Sequence, residues 1–311
     1  MAETYAITGA TGLLGSHLAN QLISENHEVY ALIKDEQSKS ILSNKVTRVY
    51  GDINSKNDMD YFIQKSTPQI FVHLAAQTQA YDSLNHPYQT FHNNIVGTMN
   101  VLESLREYKK SEAIIVASSD KAYGELKGEK YKEEHQLKGI YPYDASKSAA
   151  DIISNSYRET YGLPIVITRA CNIYGIGDFN KKRIIPGVVN SFLTKEEFVI
   201  RNQGSDIREY INVNDVVSAY KLLIEYIKNT NRYPAFNISS NDHFSTIDLF
   251  ELIEKTIGKE IKHKIINANG LEIKKQYLDS SLLIKETGWR PKHNLKDSIG
   301  AICDWYLNKF V

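Results

Sequence analysis

Thr8-Gly9-Ala10-Thr11-Gly12-Leu13-Leu14-Gly15 is the stretch on which the fold turns. It follows the short apolar run Tyr5-Thr8 and opens an apolar pattern of helical period from Leu13 to Glu25. Glycines three residues apart permit a tight turn, bring backbone N–H groups close to a pyrophosphate, and let helix and strand pack tightly. The helix N-terminus then faces the phosphates, where its dipole favours negative charge. In this strand-loop-helix context Gly9, Thr11, Gly12, Leu13, Leu14 and Gly15 are expected to cradle a dinucleotide.

Working outward, short β-branched runs alternate with amphipathic stretches as far as about residue 170. Strands are expected at Tyr5-Thr8, Glu28-Ile33, Val46-Tyr50, Ile70-His73, Ala113-Ala117 and Pro164-Arg169. Helices are expected at Leu13-Glu25, Met59-Lys65, Thr90-Tyr108 and Ala145-Tyr161. This alternation predicts an α/β fold with a Rossmann-like, doubly wound parallel sheet over residues 1–170. Beyond residue 170 the pattern breaks into loops and separate helices around Asn214-Ile227, Ile247-Gly258 and Leu282-Gly288. Residues 171–311 are expected to form mainly a smaller C-terminal substrate-binding lobe, with an approximate boundary that the chain can cross more than once.

Composition narrows the partners. Lys+Arg and Asp+Glu both total 37, so no basic excess points to nucleic acid. No apolar run reaches the roughly 18 residues that span a bilayer, and no charged leader precedes the first strand, so the expected location is cytoplasmic. The two cysteines, Cys171 and Cys303, stand far apart without a neighbouring Cys or His at ligand spacing. They support neither a disulfide framework nor a metal site.

The end of the second strand is where NAD enzymes place a carboxylate for the ribose hydroxyls. Here Ile33 occupies that place and Lys34 follows, a cation able to meet a 2′-phosphate; NADP is the expected cofactor, and Asp35 leaves NAD open as the alternative. Asp52 and Ile53 after the third strand are candidate adenine contacts. Leu74, Ala75 and Ala76 are small or apolar residues that would let the backbone close on the cofactor. His73 reads as a strand-end structural histidine.

Two segments carry the chemistry: Ala117-Ser118-Ser119-Asp120-Lys121-Ala122-Tyr123-Gly124 at a strand end, and Tyr143-Asp144-Ala145-Ser146-Lys147 opening a helix. Residues four apart share a helix face, so Lys147 is expected to lower the Tyr143 phenol from about 10 towards the working range and make it a base. Ser119 can bond the same substrate oxygen.

These residues, together with Arg169-Ala170-Cys171-Asn172-Ile173-Tyr174-Gly175 and Gly288-Trp289-Arg290-Pro291, resemble extended short-chain dehydrogenases acting on nucleotide sugars, over nearly the whole chain. Within that family the two positions after the serine are usually small or uncharged in 4-epimerases, and in 4,6-dehydratases an acid followed by a second proton-transfer group. Asp120-Lys121 resembles the dehydratase branch, in particular the CDP-glucose and UDP-N-acetylglucosamine enzymes, as does Lys182-Arg183-Ile184-Ile185-Pro186. The resemblance implies that Asp120 protonates the departing C6 hydroxyl. Lys121 then stands where other dehydratases place the C5 base. A lysine, ordinarily titrating near 10.4, serves so only if burial or nearby positive charge depresses it strongly; otherwise it stabilises the enolate electrostatically.

For the nucleotide-sugar substrate the resemblance implies Gln77, Ser119, Asn172, Arg183 and Arg208, the arginines suiting phosphate through their planar fork. It also implies a homodimer built on the helices at Thr90-Tyr108 and Ala145-Tyr161. The rivals are a 4-epimerase or 4-reductase, which need no acid at position 120, and a non-catalytic dinucleotide sensor, a class that typically loses the Tyr or the Lys retained here.

Overall fold

Ile70–His73 and Ala113–Ala117 are apolar on both faces, the pattern of strands sandwiched between two helical layers. The computed structural model, which describes residues 2–126, 130–200, 203–266 and 273–309, places them at the centre of a seven-stranded parallel sheet. The strands in chain order are β1 (Thr4–Thr8), β2 (Glu28–Ile33), β3 (Thr47–Tyr50), β4 (Ile70–His73), β5 (Ala113–Ala117), β6 (Ile165–Ala170), β7 (Asn172–Tyr174), β8 (Phe198–Ile200), β9 (Ile207–Asn212), β10 (Ala235–Ile238), β11 (His243–Ser245) and β12 (His263–Ile265). The sheet order is β10-β6-β5-β4-β1-β2-β3. The expected α/β doubly wound architecture is present, and its six expected strands agree with the observed ones to within a residue at each end.

Side chains alternate between two cores along each strand. Tyr5, Ile7, Val72 and Ile115 face the helices Leu13–Ser24 and Val213–Thr230, whereas Ala6, Phe71 and Ile114 face Lys56–Ser66, Gly97–Tyr108 and Pro142–Tyr161. Burying each large apolar side chain contributes roughly 1.5–3 kcal/mol, so the two continuous layers dominate the sheet's stability.

The expected partition at residue 170 is crossed by the chain. After β6 it leaves the sheet, builds β7 and β9, and returns through Val213–Thr230 to add β10 beside β6 in parallel register. The outlying part has its own core, where Ile184–Thr194, Thr246–Ile257 and Leu295–Lys309 pack together through Val188, Phe250, Ile253 and Ile302. Of these helices only Thr246–Ile257 stands out in the sequence pattern. Trp289 ties this part to the sheet: its Nε1 donates to Ser218 Oγ at 2.9 Å, and Asp215 accepts from the backbone N–H groups of Lys292 and His293.

The expected continuous helix Thr90-Tyr108 is divided instead. Pro87–Phe91 passes through a π-helical turn, His92–Val96, before Gly97–Tyr108. The wider turn accommodates Asn94, whose buried amide meets the loop after β4. Such turns recur where a helix must aim a side chain.

Behind β6, Arg169 and Asp151 form a buried bidentate pair, Nε to Oδ2 at 2.9 Å and Nη2 to Oδ1 at 3.0 Å. Arg169 also donates to the Tyr123 hydroxyl at 2.8 Å and lies over its ring, anchoring the turn that carries Asp120 and Lys121 to the helix that carries Tyr143 and Lys147.

Candidate active site

At the carboxyl ends of β1 and β4 the order of strands reverses, the place where open α/β sheets bind ligands. Gly9, at φ +73°, turns the chain there, and a Cβ added to it would lie 2.7 Å from the Ala75 backbone nitrogen. Gly15 is equally confined by the Gly9 and Ala10 backbone. The helix Leu13–Ser24 begins without any side-chain cap, so its first N–H groups face the cavity unmasked. These features fit a pyrophosphate. A cavity of about 620 Å³ runs from here past Thr11, Leu13, Lys34, Asp52, Ile53, Leu74, Ala75 and Ala76. Lys34 Nζ is paired with Asp52 Oδ2 at 2.8 Å, so the two expected adenosine-end residues meet each other. Partial burial presses the Asp52 carboxyl upward, but the Asn54 N–H and the Lys34 ammonium prevail and hold it below its ordinary value.

A second cavity, about 390 Å³, adjoins the first and shares Gly9, Gly12, Leu13 and Leu74 with it. Leu14 and Gly15 line this second part, with Ser119, Asp120, Lys121, Tyr143 and Lys147. The candidate catalytic turn is a 3₁₀ segment, Asp120–Tyr123, capped by Ser119, whose Oγ accepts from Lys121 N at 3.3 Å and donates to Asp120 Oδ1 at 2.9 Å. Pro142 at the first helical position starts the helix that brings Tyr143 and Lys147 opposite. Lys147 Nζ donates to the Ala117 carbonyl at 2.8 Å, bridging helix and strand end. Gln77 lies on the cofactor side, its N–H donated to Asn94 Oδ1 at 2.7 Å.

A sequence model described as the NAD dependent epimerase/dehydratase family matches residues 5–239. The chain belongs to this family. Among curated relatives, this epimerase/dehydratase family member is 28% identical over 307 residues to a putative UDP-glucose 4-epimerase of Methanocaldococcus jannaschii, covering 97% of this chain and 98% of that one. It is also 28% identical over 314 residues to a trifunctional UDP-glucose 4,6-dehydratase/3,5-epimerase/reductase of Arabidopsis thaliana, covering 96% of this chain but spanning only 46% of that longer protein. In fold it superposes on a dTDP-glucose 4,6-dehydratase of Bacillus anthracis in complex with NAD, with a TM-score of 0.85, 23% identity, and 99% and 97% of the two chains covered. The relatives thus include both dehydratases and epimerases of nucleotide sugars.

Burial sets the electrostatics of the family member's candidate catalytic groups. It pushes the Asp120 carboxyl up, against the lowering influence of Lys121, Ser119 and Arg208. It also pushes the Tyr143 phenol up, with Ser119 opposing and Asp120 and Asp144 adding to the rise. The expected lowering of Tyr143 by Lys147 is therefore not what the protein alone provides: desolvation dominates. Burial brings Lys147 itself down to about 8, Asp151 opposing. His73 is buried between Thr8 Oγ1 at 2.7 Å and Thr98 Oγ1 at 3.1 Å, a structural role as expected.

On the opposite wall Asn172 donates its amide to the Glu209 carbonyl at 3.0 Å. Arg183 donates to Asp178 Oδ2 at 3.0 Å, and Arg208, buried, donates to the Ile207 carbonyl at 3.0 Å. All three line the cleft. Three further residues escape sequence reasoning. Asn94 bonds both backbone groups of Gln77 and Ser146 Oγ, and its signal was an Asn-Asn pair interrupting a helical pattern. Glu209, fully buried, accepts from Ser239 Oγ and from the backbone of Asn241 and Leu278. Gln276 accepts from Lys121 Nζ at 3.2 Å across 155 residues of sequence, a contact that no local pattern announces.

Between pH about 8 and 10.5 the unfolded chain keeps the Lys147 proton that the folded chain has shed, so the contribution of Lys147 to stability rises with pH through this window. Below it both states are charged and the desolvation cost, on the order of 3 kcal/mol, is fully present. Urea denaturation of wild type and Lys147→Met across pH 7 to 10.5 should therefore show the difference between them moving in favour of wild type as pH rises. A constant difference would contradict the depressed lysine.

Proposed function

We propose that the protein is a nucleotide-sugar 4,6-dehydratase, converting an NDP-hexose, UDP-N-acetylglucosamine or CDP-glucose, to the 4-keto-6-deoxy sugar. The observation that carries this reading is Asp120: a buried carboxyl, raised by that burial, that accepts from Ser119 Oγ at 2.9 Å and stands next to Lys121 in the cleft. An epimerase has no use for an acid there; an elimination needs one.

When bound, oxidised nicotinamide dinucleotide supplies a hydride acceptor at C4, a donor back to C6, and a positive charge that favours the Tyr143 phenolate. Tyr143 takes the C4 hydroxyl proton, and Ser119 orients that oxygen. The resulting ketone acidifies C5–H. The C5 proton leaves, the C6–O bond breaks, and Asp120 gives its proton to the departing hydroxyl. Lys121 either receives the C5 proton as a neutral amine and gives it back to C5 once C6 is reduced, or stabilises the enolate as an ammonium while the Asp120 carboxylate carries the C5 proton to the departing hydroxyl and Tyr143 protonates C5. Arg183, Arg208 and Asn172 provide the diphosphate wall. The 4-epimerase reading is the alternative favoured by the similarity to the archaeal epimerase.

Incubating the protein without reductant with UDP-N-acetylglucosamine, CDP-glucose, UDP-glucose, dTDP-glucose and GDP-mannose should give loss of one water from one of them by mass spectrometry. Asp120→Asn should reduce that loss by about 10²–10⁴-fold, the usual scale of general acid catalysis. An epimer at unchanged mass, seen by proton NMR, would move the assignment to the 4-epimerase.

For the cofactor we propose NADP, with NAD as the alternative, because Lys34, though paired with Asp52, keeps a largely exposed side chain in a cavity that Lys39 also lines. Lys34→Ala should weaken NADP binding while sparing NAD; equal effects on the two in a titration would favour NAD.

We further propose a homodimer. Phe91, Val96, Met99 and Ile152 are exposed apolar side chains on or beside the helices Gly97–Tyr108 and Pro142–Tyr161. Light scattering should give twice the 35.4 kDa chain mass, and a monomer would remove the assignment.

A further inference from the structure

Gln276 is 1% exposed, and its amide nitrogen has no hydrogen-bond partner among the described residues. Among the described residues its side chain has one polar partner, Lys121 Nζ on its amide oxygen. A buried amide with an unmet donor is costly, and an apolar residue of similar size would avoid that cost. What the glutamine gains in return is its hold on Lys121.

The segment bearing it is clamped on both sides. The Ile207 N–H donates to the Lys274 carbonyl at 3.0 Å, and Leu278 donates to the buried Glu209 carboxylate at 3.0 Å. From the other side Tyr131 donates to the Tyr277 carbonyl at 2.7 Å and accepts from Asp279 N–H at 2.8 Å. Gln276 is thus a fixed acceptor presented to the catalytic turn by the outlying part of the chain.

We propose that Gln276 is a positioning residue for the elimination half of the reaction: by holding the Lys121 amine it sets where that group meets C5, while hydride transfer at C4 proceeds without it. The inference rests on the dehydratase reading for its catalytic consequence. Its structural part stands separately.

The test compares Gln276→Leu and Gln276→Glu with wild type, each loaded with cofactor. Acylation of Lys121 by acetic anhydride, followed by peptide mass spectrometry, reads the hold directly. It should rise about fivefold in the Leu variant, and stay at or below the wild-type rate in the Glu variant, which keeps an acceptor. With the substrate found for wild type, the Leu variant should lose about tenfold in kcat with KM within about twofold, and reduced nicotinamide should accumulate at 340 nm in a single turnover. Unchanged Lys121 acylation in Gln276→Leu overturns the hold. Loss of hydride transfer in parallel with water loss, or a drop in both that follows thermal destabilisation, overturns the selective role. If wild type removes water from no sugar nucleotide, the dehydratase reading fails, and the acylation arm alone still decides whether Gln276 holds Lys121.

Discussion

The close approach of the Gly9 turn to the Ala75 backbone is the constraint from which the site follows. With 2.7 Å between a would-be Gly9 Cβ and the Ala75 nitrogen, the two loops leaving β1 and β4 behave as one surface. Ala75 N also donates to Thr8 Oγ1 at 3.3 Å, and Thr8 holds His73, so the strand ends are pinned as well as the loops. That joined surface sets the floor of both cavities. Adding a methyl group at Gly9 would have to move backbone, which a packed sheet resists far more than it resists a side-chain rotation.

On this floor, desolvation governs the candidate catalytic groups. A lone buried carboxylate, phenolate or ammonium is costly, so in the protein alone each is driven towards its neutral form: Asp120 and Tyr143 upward, Lys147 downward to about 8. The consequence is asymmetric. The rise suits Asp120 to the acid role proposed for it and works against the base role proposed for Tyr143. In the proposed mechanism the phenol needs the positive charge of a bound cofactor, which would couple base activation to cofactor occupancy.

Legibility in the sequence divides along physical lines. The sheet could be read because strands buried on both faces carry long apolar runs with β-branched residues, and the glycine loop because its geometry tolerates few other residues. Ser119, Asp120, Lys121, Tyr143 and Lys147 could be read because their order and spacing are local, and the structure gathers them around one cleft. The π turn at His92–Val96 could not, since a π turn and an α turn share nearly the same apolar period. Nor could β10, a four-residue strand whose place in the sheet depends on where β6 lies rather than on its own residues. Likewise Lys34 reads as a solitary cation until the fold brings Asp52 beside it.

The turn of Asp120 and Lys121 shows that the outlying part of the chain meets the proposed catalytic groups as well as lining the cleft. Lys121 leaves the sheet side of the cleft, yet its ammonium is met by Gln276 from the far side, next to a segment stapled by Glu209. Arg208, adjacent to Glu209 in sequence, lowers the same Asp120 carboxyl that burial raises. The two walls therefore act on one pair of neighbouring residues from opposite sides. A displacement of the outlying part by an ångström would change both the acidity of Asp120 and the placement of Lys121, and through Arg183 would also reach Tyr143, while Lys147 stays held by the Ala117 carbonyl. In the proposed dehydration, oxidation at C4 would rest largely on groups carried by the sheet and elimination on groups that the two parts share, so that the step which commits the sugar would depend on the cleft being assembled.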